Sequence, residues 1–123
     1  MSPRASATAH ELSRVQLLAG LPGETLARLA ACMRREQVDP GEAVVSEGEP
    51  GERFYVLLSG LMTVSQSTLG PRSVLRPGAY FGEVSLTMGI PRTASVRALT
   101  PVTVASCDRE TFDTYLRPLF ADD

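Results

Sequence analysis

Lysine, asparagine and tryptophan are absent from the 123-residue chain, and histidine occurs once, as His10. All 12 basic residues are therefore Arg, so an anion can be met only by a guanidinium, a backbone amide or a hydroxyl. The same bias points to a GC-rich coding source. One N-terminal His cannot supply the ligand cluster of a metal-dependent barrel enzyme of the cupin kind, and it leaves no base for a nucleophilic triad. Neither catalysis nor a metal is expected. A charge excess is also lacking: the net charge is -2, which removes the general attraction to phosphate backbones on which nucleic-acid coat proteins rely. The two cysteines, Cys32 and Cys107, have neither metal nor redox spacing and read as small buried hydrophobes. No apolar run is long enough to span a membrane, and Val15–Leu21 is too interrupted for a signal segment. These absences place the chain in the cytoplasm.

What is present fits one domain. Residues 1–9 are small and polar and read as a flexible N-terminus, residues 10–120 as the domain and residues 121–123 as a tail. Leu12, Val15 and Leu18 predict a short helix from His10 to Ala19, which Gly20, Pro22 and Gly23 interrupt. Leu26, Leu29, Ala30 and Met33 predict a second from Glu24 to Arg35, with Arg34 and Arg35 at its negative end. After Gln37 the pattern changes to short apolar runs between turn residues: Val38, Val44–Val45, Phe54–Leu58, Leu61–Val64, Ser73–Leu75, Thr93–Ala98 and Val102–Ser106. Asp108 suits the N-cap of a closing helix through Leu116, stopped by Pro118. The expected fold is mainly β with flanking helices: an eight-stranded β-roll or jelly-roll barrel with N-terminal helices, a short internal helix and a C-terminal helix.

Tyr80–Val96 does not follow simple strand patterning. Gly82 permits a strained turn, and Glu83–Met88 has room for about one helical turn before Gly89 ends it. Amides emerging from such a turn favour an anion, and Arg92 returns nearby on the next strand. One bidentate cation, several amides and one carboxylate suit a ligand with a single phosphate and a sugar hydroxyl.

Phe81-Gly82-Glu83-Val84-Ser85-Leu86, followed after four residues by Pro91-Arg92-Thr93-Ala94-Ser95-Val96, resembles the phosphate-binding cassette of the cyclic nucleotide-binding domain family. Glu47–Gly60 is similar to that family's second and third strands with their glycine turns, and the resemblance extends from about Leu12 to Leu119. It implies a regulatory ligand, cAMP or cGMP. Arg92 would pair with the exocyclic phosphate oxygens, Glu83 would accept from the ribose 2'-hydroxyl, and the amides of Gly82, Ser85 and Thr93 would complete the cradle. Val84 belongs to the same turn. Val64 would line the base side, with Leu75 beside it, and the Thr93 hydroxyl leaves cGMP open.

The resemblance further implies a sensor: phosphate capture draws the cassette inward and the terminal helices repack, with Leu116, Leu119 and Phe120 as moving contacts. The output passes to an effector domain or protein partner, or to a second copy in a homodimer, with no direct nucleic-acid contact. The alternative is a structural or protein-interaction barrel of the same fold that no nucleotide regulates. A transcription regulator of the catabolite-activator type would need a helix-turn-helix after the barrel. Family members commonly cover the base with a further long helix, whereas only Ala121-Asp122-Asp123 follows Phe120. An open base, a covering partner or copy, and a piece of a longer protein all fit that ending. Arg53, Arg72, Arg76, Arg97, Arg109 and Arg117 read as solvated surface. The acidic loop Glu47–Glu52 reads as turn chemistry and not as a cation site.

Overall fold

The computed structural model describes residues 6–120. The tail 121–123 and residues 1–5 of the expected flexible N-terminus lie outside the described residues. The packed part begins before residue 10: Ser6 bridges Arg34, the Ala7 amide donates to Met33 O at 2.9 Å, and Ala7 is buried. Thr8 caps α1 (Ala9–Ser13) through a capping box in which the Glu11 amide donates to the Thr8 hydroxyl and Glu11 returns to the Thr8 amide.

The helix predicted over 10–19 is confined to α1. Beyond it the chain runs in successive tight turns, with Val15 bonded to Leu12, Leu18 to Val15 and Leu21 to Leu18. Three residues per turn place Leu12, Val15 and Leu18 on one line, and all three are buried. Helix α2 (Gly23–Ala31) ends four residues earlier than its apolar stripe predicts. Arg34 and Arg35 instead start β1 (Arg34–Val38), because the backbone there pairs with β8 (Val102–Asp108), Arg34 opposite Ser106 and Val38 opposite Val102. Cys32 caps α2 and is exposed, contrary to its expected burial, whereas Cys107 is fully buried and its thiol is pushed up to about 12.

Eight strands form two four-stranded antiparallel sheets among the described residues, as expected for the β-roll. One has the order β1-β8-β3-β6, with β3 at Arg53–Ser59 and β6 at Tyr80–Phe81; the other is β2-β7-β4-β5, from Ala43–Val45, Ser95–Ala98, Met62–Gln66 and Gly70–Leu75. The sequence pattern misses β6 because two residues cannot display alternation; their pairing with Tyr55 and Val56 makes the strand.

Strand alternation builds two cores. Leu57 and Val104 point into the roll with Met62, Phe81 and Val96, while Phe54, Val56 and Cys107 face the helices with Leu12, Leu29, Leu86 and Phe112. The Asp108 carboxylate caps α4 (Arg109–Thr111) by accepting from the Thr111 amide at 2.9 Å, which holds that carboxyl below its usual range. A π-helical turn, Phe112–Leu116, and a 3-10 turn, Arg117–Phe120, follow. The closing helix therefore ends at Leu116 as expected, and Pro118 lies in the new first turn, where its missing N–H breaks no helical bond. No helix among the described residues is long and apolar enough to cross a membrane.

Candidate functional site

Between β6 and β7 the chain makes the turn that was expected from Gly82. Gly82 has φ +100°, and a Cβ there would stand 2.8 Å from Arg53 O and 3.0 Å from Arg92 Nη1. Only glycine fits both the backbone and the approach. Helix α3 (Glu83–Met88) begins immediately, and Gly89, at φ +66°, ends it as its amide donates to Ser85 O. The first-turn amides of α3 have no acceptor within the helix.

Arg92 reaches the turn from the loop before β7. Its main chain is held on both sides by the acidic loop: the Arg92 amide donates to Glu49 O and the Gly48 amide to Arg92 O, each at 2.8 Å. That loop is itself moored, because the Glu47 carboxylate accepts from the Ser67 amide and hydroxyl, and the Glu47 amide donates to Ser95 Oγ. The Ser67 bonds hold the Glu47 carboxyl below its usual range. The reading of this loop as turn chemistry is thus incomplete: its main chain positions Arg92.

Arg92 is 7 % exposed as a residue, and its guanidinium donates from Nη1 to Gly82 O at 3.1 Å and from Nη2 to Arg53 O at 2.8 Å. Among the described residues, no carboxylate oxygen lies within salt-bridge distance of it; the five ion pairs involve Arg28, Arg34, Arg35, Arg109 and Arg117. Burial without a direct ion pair lowers the pKa of this guanidinium, and the more distant charges of Glu52 and Glu83 offset that only in part. Glu83 is half-buried, and burial pushes its carboxyl above the usual range, against its own amide and the charge of Arg92.

The structure brings Val64, Leu75, Gly82, Glu83, Val84, Ser85, Arg92 and Thr93 to the wall of one cavity of about 210 Å3. Val45, Tyr80, Phe81, Ala94 and Val96 complete it. Pairing of Val45 with Val96 was the available signal for those two, and Phe81 follows from facing the roll interior, where it stacks on Tyr55 at 5.0 Å. Thr93 stands exposed at the rim, its carbonyl accepting from Gln66 Nε2 at 2.9 Å. A larger cleft of about 360 Å3 lies between α1 and the Ser59–Gly60 and Pro77–Gly78 turns, but its His10 and Arg14 are exposed, its half-buried Glu11 is already paired with Arg35 at 3.1 Å, and it contains no part of the motif. Buried charge, not volume, distinguishes the smaller cavity. Among the described residues, no group of three or more His, Cys, Asp or Glu side chains is placed to hold a metal ion.

Four arginines expected at the solvated surface have structural partners, Arg97 among them through Gly41 O at 3.2 Å. Arg53 donates to the Ser106 hydroxyl and carbonyl, while Arg109 and Arg117 both donate to Leu86 O, at 3.3 and 3.1 Å. The last two neutralise the negative end of α3 and tie it to the C-terminal helical segment. Sequence spacing cannot show this, since the acceptors are main-chain atoms of residues remote in the chain.

A family model described as the cyclic nucleotide-binding domain matches residues 35–118. The chain belongs to the cyclic nucleotide-binding domain family. This domain is 38% identical over 107 residues to the cAMP-dependent protein kinase regulatory subunit of Debaryomyces hansenii, covering 87% of this chain and 24% of the relative. It is 37% identical over 108 residues to human cGMP-dependent protein kinase 2, covering 83% of this chain and 14% of that protein. Among solved structures, the regulatory domain of Toxoplasma gondii PKA with cAMP superposes with a TM-score of 0.84 at 28% identity, covering 90% of this chain and 44% of the other. The chain spans about a quarter or less of the length of these curated relatives.

Proposed function

We propose that the domain is a non-catalytic sensor that takes cAMP or cGMP into the cavity at Arg92 and relays its occupancy, through the C-terminal helical segment, to an effector domain or protein partner. The observation that carries this reading is the buried Arg92 guanidinium, which has no carboxylate partner among the described residues and stands beside the first-turn amides of α3. A cyclic phosphodiester supplies the directly paired anion that Arg92 lacks, and the amides of Gly82, Ser85 and Thr93 close around phosphate and sugar. Glu83 accepts from the 2'-hydroxyl, which keeps its carboxylate from facing the phosphate unshielded. Val64 and Leu75 offer the base an apolar wall, with Val84 at the mouth. Thr93 places a hydroxyl where a guanine amino group can meet it, so both nucleotides remain ligands. The proposed setting is the cytoplasm, in keeping with the free thiols of Cys32 and Cys107.

Relay has a physical route. Tyr80 lines the cavity and packs edge-on against Phe120 at 5.5 Å, while Leu86 of α3 shares the helical core with Phe112 and Leu116. Inward movement of the cassette therefore disturbs contacts that the C-terminal segment makes. Thermal denaturation tests the reading: a ligand at one hundred times its Kd adds about 2.7 kcal/mol, on the order of 10 °C in Tm. No shift with either nucleotide would refute it.

The raised Glu83 pKa predicts a pH dependence. Protonation removes a charged acceptor from the 2'-hydroxyl, so affinity falls as pH is lowered through the Glu83 pKa, by about tenfold. Because that pKa is raised in the free protein, the fall begins at a higher pH than an ordinary Glu would give. Titrations across this range should show the decline in the wild type and a flat profile in Glu83→Gln. Equal pH profiles would remove Glu83 from the role.

A further inference from the structure

We propose that Gly51, in the acidic loop, is a positioning residue for this site: its missing side chain is the space in which Arg92 and Ser85 stand together. The inference rests on the cyclic nucleotide reading and concerns a residue outside the cassette. Gly51 is buried, and its backbone does not need positive φ. A demand for glycine there is therefore a demand for space.

The space is tightly bounded. A Cβ on Gly51 would lie 2.5 Å from Ser85 Cβ, 2.7 Å from Ser85 Oγ and 2.8 Å from Arg92 Cζ. These atoms belong to the two walls of the proposed phosphate cradle, α3 and the guanidinium. Neither wall can be relieved without cost to the site. Ser85 is buried on α3, so moving its Cβ moves the helix; the Arg92 tip is flexible and gives way first, leaving Gly82 O and Arg53 O. The loop cannot retreat freely either, because its main chain is bonded to Arg92 on both sides and Glu47 is bonded to Ser67. Added volume at residue 51 is therefore transmitted to the guanidinium.

The effect should appear in affinity more than in folding. Displacing a charge-assisted bidentate contact by an ångström weakens it strongly, whereas a displaced Arg tip regains partners in water. For Gly51→Ala we expect at least a tenfold rise in Kd for cAMP and cGMP by calorimetry. Pro50→Ala, which alters the neighbouring exposed residue, should leave Kd within twofold. In the ligand-free protein the Arg92 side-chain 15Nε–1Hε resonance should shift in Gly51→Ala and stay in place in Pro50→Ala, a change that loss of stability alone would not produce. Should Gly51→Ala fail to fold, Ser85→Gly removes the two shorter contacts and provides the background: adding Gly51→Ala to it should still cost about tenfold relative to Ser85→Gly alone. Equal affinities for Gly51→Ala and wild type, or for that second pair, would overturn the role of Gly51. A wild type that binds neither nucleotide would instead overturn the underlying reading.

Discussion

Arg92→Leu is expected to raise the Kd for either cyclic nucleotide by roughly 30-fold to several thousand-fold, which removes detectable binding at ordinary ligand concentrations. Truncating one partner of a buried charge pair costs about 2 to 5 kcal/mol, and each 1.4 kcal/mol is tenfold in affinity. The upper part of that range applies because, among the described residues, the cavity holds no second cation: Arg53 is committed to Ser106, and Arg109 and Arg117 to Leu86 O. The substitution also strands Gly82 O and Arg53 O, two acceptors that the guanidinium now satisfies. Some loss of stability accompanies the loss of binding. Circular dichroism and a melting curve on the variant separate the two: the fold should persist while the nucleotide-induced rise in Tm disappears. A folded Arg92→Leu that binds like the wild type would place the phosphate elsewhere.

The second large effect is on folding. Phe54 is fully buried and lies 5.4 Å from the Phe112 ring, 5.8 Å from Tyr80 and 6.2 Å from Phe120. It joins β3 to β6 and to the C-terminal segment, so no single element can close the hole its removal leaves. Phe54→Ala should cost about 3 to 5 kcal/mol, a large part of the stability of a domain this size, and lower Tm by roughly 10–20 °C. Urea unfolding measures it directly. A loss below about 1 kcal/mol would mean that the aromatic cluster is not the joint between the sheet and the C-terminal segment.

The cassette was legible in sequence because its parts are local. Gly82, the six residues of α3, Gly89 and Arg92 lie within eleven positions, and glycine, helix and arginine each have a conformational or chemical reason that does not depend on the rest of the chain. The roll was legible for a similar reason: apolar pairs between Pro-Gly and Gly-rich turns specify strands one at a time. What escaped was set by pairing between distant segments. Arg34 and Arg35 continue an apolar helical stripe in sequence, but β8 supplies a ladder of five paired positions and the backbone leaves the helix to join it. Leu12, Val15 and Leu18 fit the core equally well at three residues per turn, and the packed form is the tighter one.

Arginine was the residue type least well read from sequence. Arg53, Arg109 and Arg117 have the same local surroundings as solvated arginines, and their partners are a hydroxyl and carbonyls dozens of residues away. The acidic loop shows the same limit. Its glycines announce turns, yet the fit of Gly51 against Ser85 and Arg92 exists only once three segments meet.

Calorimetric titration of the wild-type domain and of Arg92→Leu with cAMP and with cGMP tests the central claim most directly. One nucleotide per chain is expected for the wild type with at least one of the two ligands, and no measurable heat of binding for a folded Arg92→Leu. No binding of either nucleotide to the folded wild type, or equal binding to both proteins, would contradict it.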